Sequence, residues 1–252
     1  MHRTELTQDI VRYSFDPQPN RHFATAVYAI FDGDRALLID TGYEFQAAEL
    51  WREFQKSGVT ISAVILSHFH DDHMQGLKSL PKVPVYGSAD YQISLDLWTE
   101  QDKHAVFRPT ICIKEPYALH FGAHHLTLLP FPGHSPCTLL TKIDDTYLHI
   151  ADELMFSEEG KPLLPSTDPH CIVRHVNSLK RLKDYCGRYT FLPGHGPALF
   201  GKERQLTEIG YRLAYMQAIL DSNKQLTYEE AAEGCGCDFL HSEWHSGFYE
   251  EE

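Results

Sequence analysis

At 252 residues, with 42% hydrophobic and 23% charged side chains, the chain is long enough to bury one large core, yet no uncharged apolar stretch reaches the ~18 residues of a membrane span. A formal net charge of −13 without clustered Lys and Arg argues against a nucleic-acid binder, whose phosphate contacts need concentrated positive charge. Six scattered cysteines and an amino terminus lacking an export-type apolar segment lead us to expect free thiols and a cytoplasmic protein.

Ala26 to Asp40 reads as two apolar strands joined at Asp32-Gly33, a strong hairpin signal, and Phe45 to Gln55 as a helix. Ile61 to Leu66 is β-branched and aliphatic, as expected of a buried strand. The turn leaving it carries His68, His70, Asp72 and His73. Imidazole nitrogens and a carboxylate suit a borderline divalent ion such as Zn²⁺, and a His-x-His alternation lets two rings converge from one extended segment. Asp72 and His73 can then serve a second ion beside the first. A solvated His/Asp loop is the plainer alternative, and so dense a cluster at the end of a buried strand disfavours it.

Further along, Val83 to Tyr86 reads as a short strand, Ala89 to Leu97 as a helix, and Tyr117 to Phe121 and Leu126 to Phe131 as strands around Gly122. The last of these runs into Pro132-Gly133-His134. Tyr147 to Ala151 ends at Asp152, whose carboxylate can bridge two ions. After a helix over Ile172 to Tyr185, the strand Tyr189 to Leu192 runs into Pro193-Gly194-His195. Taken singly, each is an ordinary turn residue; two Pro-Gly-His turns after two strands form a pattern. Glycine before each His permits a left-handed or otherwise tight backbone that aims the ring back over the strand ends. Lys202 to Ser222 has helical periodicity, and Thr227-Tyr228-Glu229-Glu230 is a capping box. No low-complexity linker appears, so we expect one domain over residues 1–252 with a helical tail from about 223 to 252.

The segments Ala26 to Asp40 and Thr138 to Asp152 align as two strands, a turn and a terminal Asp, each followed by a helix and a strand that ends in a His. This predicts an internal duplication, with both halves delivering ligands to one edge.

The motif His68-x-His70-x-Asp72-His73, followed by separate His134, Asp152 and His195, resembles the metallo-β-lactamase superfamily over about residues 27–199. The resemblance implies an α/β fold, a four-layer αββα sandwich of two mixed sheets flanked by helices. It also implies two divalent ions, with zinc preferred and iron or manganese open. His68, His70 and His134 would hold the first, Asp72, His73 and His195 the second, and Asp152 would bridge them. Asp40, in Leu37-Leu38-Ile39-Asp40-Thr41-Gly42, matches a family motif in which the Asp supports the metal site from behind, a job that metal-bound His requires. Its other reading is a cap for the helix beginning near Tyr43.

Such a centre implies a hydrolase in which a hydroxide shared by the ions attacks the carbonyl of a small ester, thioester or lactone. Asp72 would orient the nucleophile or relay a proton. The alternatives are a phosphodiesterase, of which only the nuclease branch is disfavoured by the lack of clustered Lys and Arg, a mononuclear-iron enzyme resembling persulfide dioxygenases, and a non-catalytic binding protein, whose usual mark is a lost ligand. The partner is expected to be a small-molecule substrate, with no nucleic acid and no membrane. Met155 stands where quorum-signal lactonases carry Tyr, and no glutathione-contacting segment is recognised after His195. Asn20, Arg21, His22, Phe23, Met155, Phe156 and His170 are candidate pocket residues. Asp71, His124, His125 and His149 read as structural or solvent-facing, with His149 on the face opposite Asp152 by strand alternation. Cys235, Cys237, His241 and His245 form Cys-x-Cys-x-x-x-His-x-x-x-His, which matches no common structural zinc spacing; a partly buried tail is the preferred reading over an accessory metal site.

Overall fold

Period-two alternation sorts the apolar residues of the first sheet onto its two faces. A computed structural model of the protein describes residues 1–19, 21–168 and 170–249, so the candidate pocket residue Asn20 lies outside the described residues. Strands β1 (His2–Glu5), β2 (Ile10–Ser14), β3 (Ala26–Asp32), β4 (Arg35–Ile39), β5 (Thr60–Ile65), β6 (Val85–Ser88) and β7 (Ile111–Ile113) lie side by side in that order. Neighbours are antiparallel from β1 to β4 and parallel from β4 to β7. Tyr28, Ile30, Leu37, Ile39 and Ile65 face the second sheet. Val27, Ala29, Leu38 and Val64 face a helical layer through Leu50 and Phe54 of α1 (Glu44–Lys56), Met74 of α2 (Asp71–Met74), Leu95 of α3 (Tyr91–Trp98) and Phe107 of α4 (His104–Phe107).

The second sheet comprises β8 (Tyr117–Phe121), β9 (His124–Pro130), β10 (Leu139–Ile143), β11 (Tyr147–His149) and β12 (Thr190–Leu192), in the order β12-β11-β10-β9-β8. Leu126, Leu128, Leu139, Ile143 and Leu192 close the core between the sheets. Leu140, Leu148 and Phe191 point outward onto α5 (Ile172–Leu182) and α6 (Lys202–Asp221) through Val176, Leu179, Ile209, Tyr215 and Met216. The layers are therefore α, β, β, α, with parallel and antiparallel pairs in both sheets. The short α7 (Tyr228–Ala232) opens on the expected capping box: Glu230 N–H donates to Thr227 Oγ1 at 3.2 Å, and Thr227 N–H donates to Glu230 Oε2 at 2.9 Å.

The halves repeat in topology. An antiparallel hairpin, a crossover helix and a parallel strand recur as β3-β4-α1-β5 and β10-β11-α5-β12, with a further antiparallel pair, β1-β2 or β8-β9, ahead of each. Both hairpins leave their second strand through a left-handed non-glycine residue, Asp40 (φ 61°) or Ala151 (φ 49°). That bend ends β11 at His149, two residues earlier than alternation suggests. All six cysteines are free. No helix among the described residues is long and apolar enough to cross a membrane.

Candidate metal centre

The site is assembled where β5, β9, β11 and β12 release the chain toward one edge of the sandwich. Asp40 is fully buried and caps nothing; the α1 N-terminus instead has Tyr43 N–H donating to Gln46 Oε1 at 2.9 Å. Asp40 Oδ1 accepts Ser67 N–H at 2.7 Å, while its Oδ2 accepts the Ser67 hydroxyl at 2.7 Å and the His73 Nδ1–H at 2.8 Å. With its proton committed to Asp40, Ser67 Oγ accepts from His68 Nδ1 at 3.0 Å. One carboxylate thereby fixes two rings.

The other rings are fixed in the same way. His134 Nδ1 donates to the Ser166 carbonyl at 2.6 Å, His195 Nδ1 to the Ala24 carbonyl at 2.9 Å, and His70 Nε2 to Asp168 Oδ1 at 2.6 Å. Each ring spends its proton outward, so each turns a bare lone pair inward, the arrangement metal-bound imidazoles require. His68 Nε2 and His134 Nε2 each lie 3.1 Å from His70 Nδ1. Three lone pairs converging at that spacing repel one another unless a cation sits among them.

A second set forms alongside. His195 Nε2 is 3.3 Å from Asp72 Oδ2, and His73 Nε2 is 3.7 Å from Asp72 Oδ1. Asp152 Oδ2 lies between the sets, 3.1 Å from His195 Nε2, 3.3 Å from His73 Nε2, 3.8 Å from His68 Nε2 and 3.9 Å from His134 Nε2. All seven expected residues thus come together, with potential ligand atoms grouped as His68–His70–His134, His68–His73–Asp152 and Asp72–His73–His195.

The residues fit a pair of divalent ions. His73 Nε2 and Asp152 Oδ1 are buried without a hydrogen-bond partner, a costly state for polar atoms. Burial opposes a charged ring at His195, yet Asp152 and Asp72 outweigh it and push its pKa up to about 10; His73 is raised by Asp152, Asp72 and Asp40 against the same penalty. The pocket demands positive charge. Nitrogen and carboxylate donors in sets of three with a shared carboxylate suit zinc-like ions.

Close approach, more than backbone handedness, explains the paired glycines. Gly133 and Gly194 are not left-handed, contrary to one form of the expectation; among the glycines of these two turns that conformation falls to Gly196 (φ 91°). A Cβ on Gly194 would lie well inside van der Waals contact of Asp152 Oδ1 and His73 Cε1, and one on Gly133 would meet Glu153 and Ser178. Glu153 is itself buried, accepting His134 N–H at 3.0 Å and the Ser178 hydroxyl, and burial raises its carboxyl to about 8.

Asp168 was not among the residues singled out by sequence. It is fully buried, accepts His70 Nε2–H and Trp98 Nε1–H (2.8 Å) on Oδ1, and takes the Ser135 hydroxyl on Oδ2 at 2.7 Å. Burial works against its charge, but His70 holds the carboxyl well below the usual range. Its only local signal is the sequence Thr-Asp-Pro, which announces nothing about a ring 98 positions away.

An open cleft of about 300 Å³ faces the site, lined by Arg21, Tyr43, His70, Asp72, Trp98 and Thr167 among others. Of the candidate pocket residues, Arg21 is on this cleft and Phe23 packs T-shaped against the His195 ring, their centroids 4.7 Å apart. His22 turns to His241, its N–H donating to His241 Nε2 at 3.2 Å. Met155 and Phe156 are buried in core clusters instead, because the chain bends at Ala151 and folds them inward. His170 is exposed, in a left-handed conformation. His149 is fully buried between the sheets, its ring 5.2 Å from Tyr28, and belongs to no ligand set. His124 bridges Asp144 and Asp9 at 2.7 and 2.9 Å, while Asp71 and His125 are exposed.

The carboxy-terminal Cys/His segment does not gather a metal site among the described residues. His241 Nδ1 pairs with Glu243 at 2.6 Å, His245 uses Tyr215 OH and the Leu226 carbonyl, and the Cys235 thiol points to the Cys237 carbonyl. The tail packs inward, burying Phe239 and setting Trp244 against Phe23.

Known proteins resemble the chain in sequence and in fold. The metallo-β-lactamase superfamily model matches residues 21–195. A protein of Drosophila melanogaster named beta-lactamase-like protein 2 homolog is 24% identical over 208 residues, covering 77% of this chain and 66% of its own. A hydroxyacylglutathione hydrolase of Xanthomonas euvesicatoria pv. vesicatoria (strain 85-10) is 27% identical, covering 67% and 60%; one from Francisella tularensis subsp. novicida (strain U112) is also 27% identical, covering 42% and 38%. The chain thus spans between 38% and 66% of the length of these relatives. Among solved structures, a metallo-beta-lactamase from Pontibacter korlensis superposes with a TM-score of 0.65 at 16% identity, covering 86% of this chain and 98% of that one. The DIM-1 metallo-beta-lactamase exposed to ceftazidime gives 0.64 at 16% identity, covering 82% and 94%. With the sandwich, the strand-end His/Asp cluster and a family match over more than half its length, the chain belongs to the metallo-β-lactamase superfamily.

Proposed function

We propose that the protein is a metal-dependent hydrolase that cleaves a small thioester, ester or lactone at a centre of two divalent ions, zinc being the best fit to the donors. His68, His70 and His134 would hold one ion and Asp72, His73 and His195 the other. The observation that carries this reading is Asp152 Oδ2, within 3.9 Å of a ring nitrogen from each of four histidines, which makes one centre of two ligand sets. When bound there, such ions would supply a water of near-neutral pKa and positive charge for the oxygen of an attacked carbonyl.

The chain's own groups supply the rest. Of the two carboxylate ligands, Asp72 is the one that reaches the cleft, its side chain 14% exposed against 4% for Asp152. From there it would orient the attacking water and accept its proton for delivery to the leaving group. Buried Asp40 and Asp168 keep the rings aligned through turnover. Names among the relatives favour thioesters within the substrate group. The net charge of −13 speaks for a small-molecule partner over a nucleic acid.

The test is a panel of activated thioesters, esters, lactones and phosphodiesters offered to protein reconstituted with zinc, manganese or iron. The expected result is turnover of a carbonyl substrate by wild type, abolished together with most bound metal in His68→Ala and unaffected in Cys235→Ala. Silence across the panel, or one iron per chain with oxygen uptake, would overturn the reading.

A further inference from the structure

The cleft has one cation. Arg21 is the only Lys or Arg among its described lining residues, and no carboxylate among the described residues lies within ion-pair distance of its guanidinium, although Asp71, Asp72 and Asp168 share the cleft. Asp168 is committed to His70, Trp98 and Ser135, and Asp72 faces His73 and His195. Arg21 is held instead by neutral groups: Nη1 donates to Tyr43 OH at 3.2 Å, and its Cζ lies 5.4 Å from the centre of the Phe23 ring. Stacking on an aromatic ring with one donor used leaves the remaining N–H groups of a planar fork for an incoming acceptor, and a carboxylate matches that fork with two parallel bonds.

Trp98 offers the cleft an apolar surface. Trp98 is half exposed, its indole N–H is already given to Asp168, and its ring stands perpendicular to His70 at 5.8 Å. Arg21 connects through Phe23 to His195, while Trp98 abuts His70, so the two residues flank the two ligand sets from different sides. We infer that Arg21 anchors a carboxylate carried by the substrate. The substrate then lies with this anionic end on the Asp72–His73–His195 side and an apolar end against Trp98, its scissile bond between. This rests on the hydrolase reading above and narrows it to monoanionic, amphiphilic acyl compounds.

The test uses thioesters with a phenyl group at one end and a carboxylate or its methyl ester at the other, with the carboxylate placed on the acyl side in one pair and on the thiol side in a second. Non-hydrolysable amide counterparts of each are titrated by calorimetry into metal-loaded protein. In at least one placement the acid should have a KM about 10-fold below its methyl ester, with the amide acid binding about 10-fold tighter than the amide ester. Arg21→Ala should erase both preferences without moving the melting temperature, since the side chain is exposed, and Arg21→Lys should restore part of them. Exchanging phenyl for methyl should weaken binding to wild type. Hydrolysis without any acid preference, or a preference that survives in Arg21→Ala, overturns the anchor and leaves the hydrolase standing. Arg21-dependent binding of the amides without cleavage of any thioester keeps the anchor and sinks the hydrolase. Equal affinity for phenyl and methyl compounds overturns the Trp98 contact, and absence of Arg21-dependent binding overturns the anchor whatever the turnover.

Discussion

Each of the five inward-facing imidazoles has its outer nitrogen committed to a named acceptor: Ser67, Asp168, Asp40, Ser166 or Ala24. Removing an acceptor should loosen the ion without removing a ligand. Asp168→Asn is expected to weaken ion affinity by about 10–100-fold, read by competition with a chromogenic chelator; affinity within twofold of wild type would contradict the role. The ligands themselves were legible because His68 and His70 alternate on a segment leaving β5, and Asp72 and His73 follow at once on the short helix α2, so the spacing His68-x-His70-x-Asp72-His73 keeps all four close together. Asp168 was not legible, since a turn Asp gives no sign of a partner 98 residues away. Met155 and Phe156 were offered as pocket residues because they follow the bridging Asp in sequence, yet the chain beyond the left-handed Ala151 buries both in the core.

At the level of elements, the strand-end turns work because backbone comes close to the ligands. Gly194→Ala should drive Cβ into Asp152 and His73, destabilising the fold by about 1–3 kcal/mol and reducing bound metal, as thermal unfolding and metal content would show. A variant with wild-type stability and full metal content would refute the close-packing account. Long elements with a buried stripe, such as α1, α5 and α6, were readable from periodicity. Strand β1 escaped notice because all four of its residues are exposed and show no apolar pattern, and β7 because three residues cannot display a period. The helix over Ile172 to Tyr185 was recognised whole, but its last turn, Lys183–Tyr185, tightens to a 3₁₀ helix.

Across the whole molecule, the repeated order of strands explains how ligands far apart in sequence reach one edge: each half delivers a His where its crossover strand ends, and each hairpin an Asp. The opposite edge is tied by His124, which opens β9 and links Asp9, ahead of β2 in one sheet, to Asp144, in the β10–β11 turn of the other. Burial opposes the His124 charge, but Asp144 and Asp9 raise its pKa above 6.5, while both carboxyls are lowered from 3.8. The stability that His124 contributes is thus fully present below pH 6.5 and fades as pH rises through its raised value; the carboxylates' share is present above pH 3.8 and lost on acidification. With Asp9 and Asp144 more than a third exposed, solvent screening holds the total to about 1 kcal/mol, or about 2–4 °C. His124→Gln should therefore melt below wild type at pH 5.5 and converge with it at alkaline pH; a gap that widens with pH would contradict the linkage. The most direct test of the central claim is anomalous diffraction at the zinc absorption edge from crystals of the zinc-reconstituted protein. Two peaks are expected, one about 2.0–2.2 Å from His68 Nε2, His70 Nδ1 and His134 Nε2, the other at like distances from Asp72, His73 Nε2 and His195 Nε2, with Asp152 touching at least one. No peak among these seven side chains, or a single one that the second set does not share, would contradict a two-ion centre.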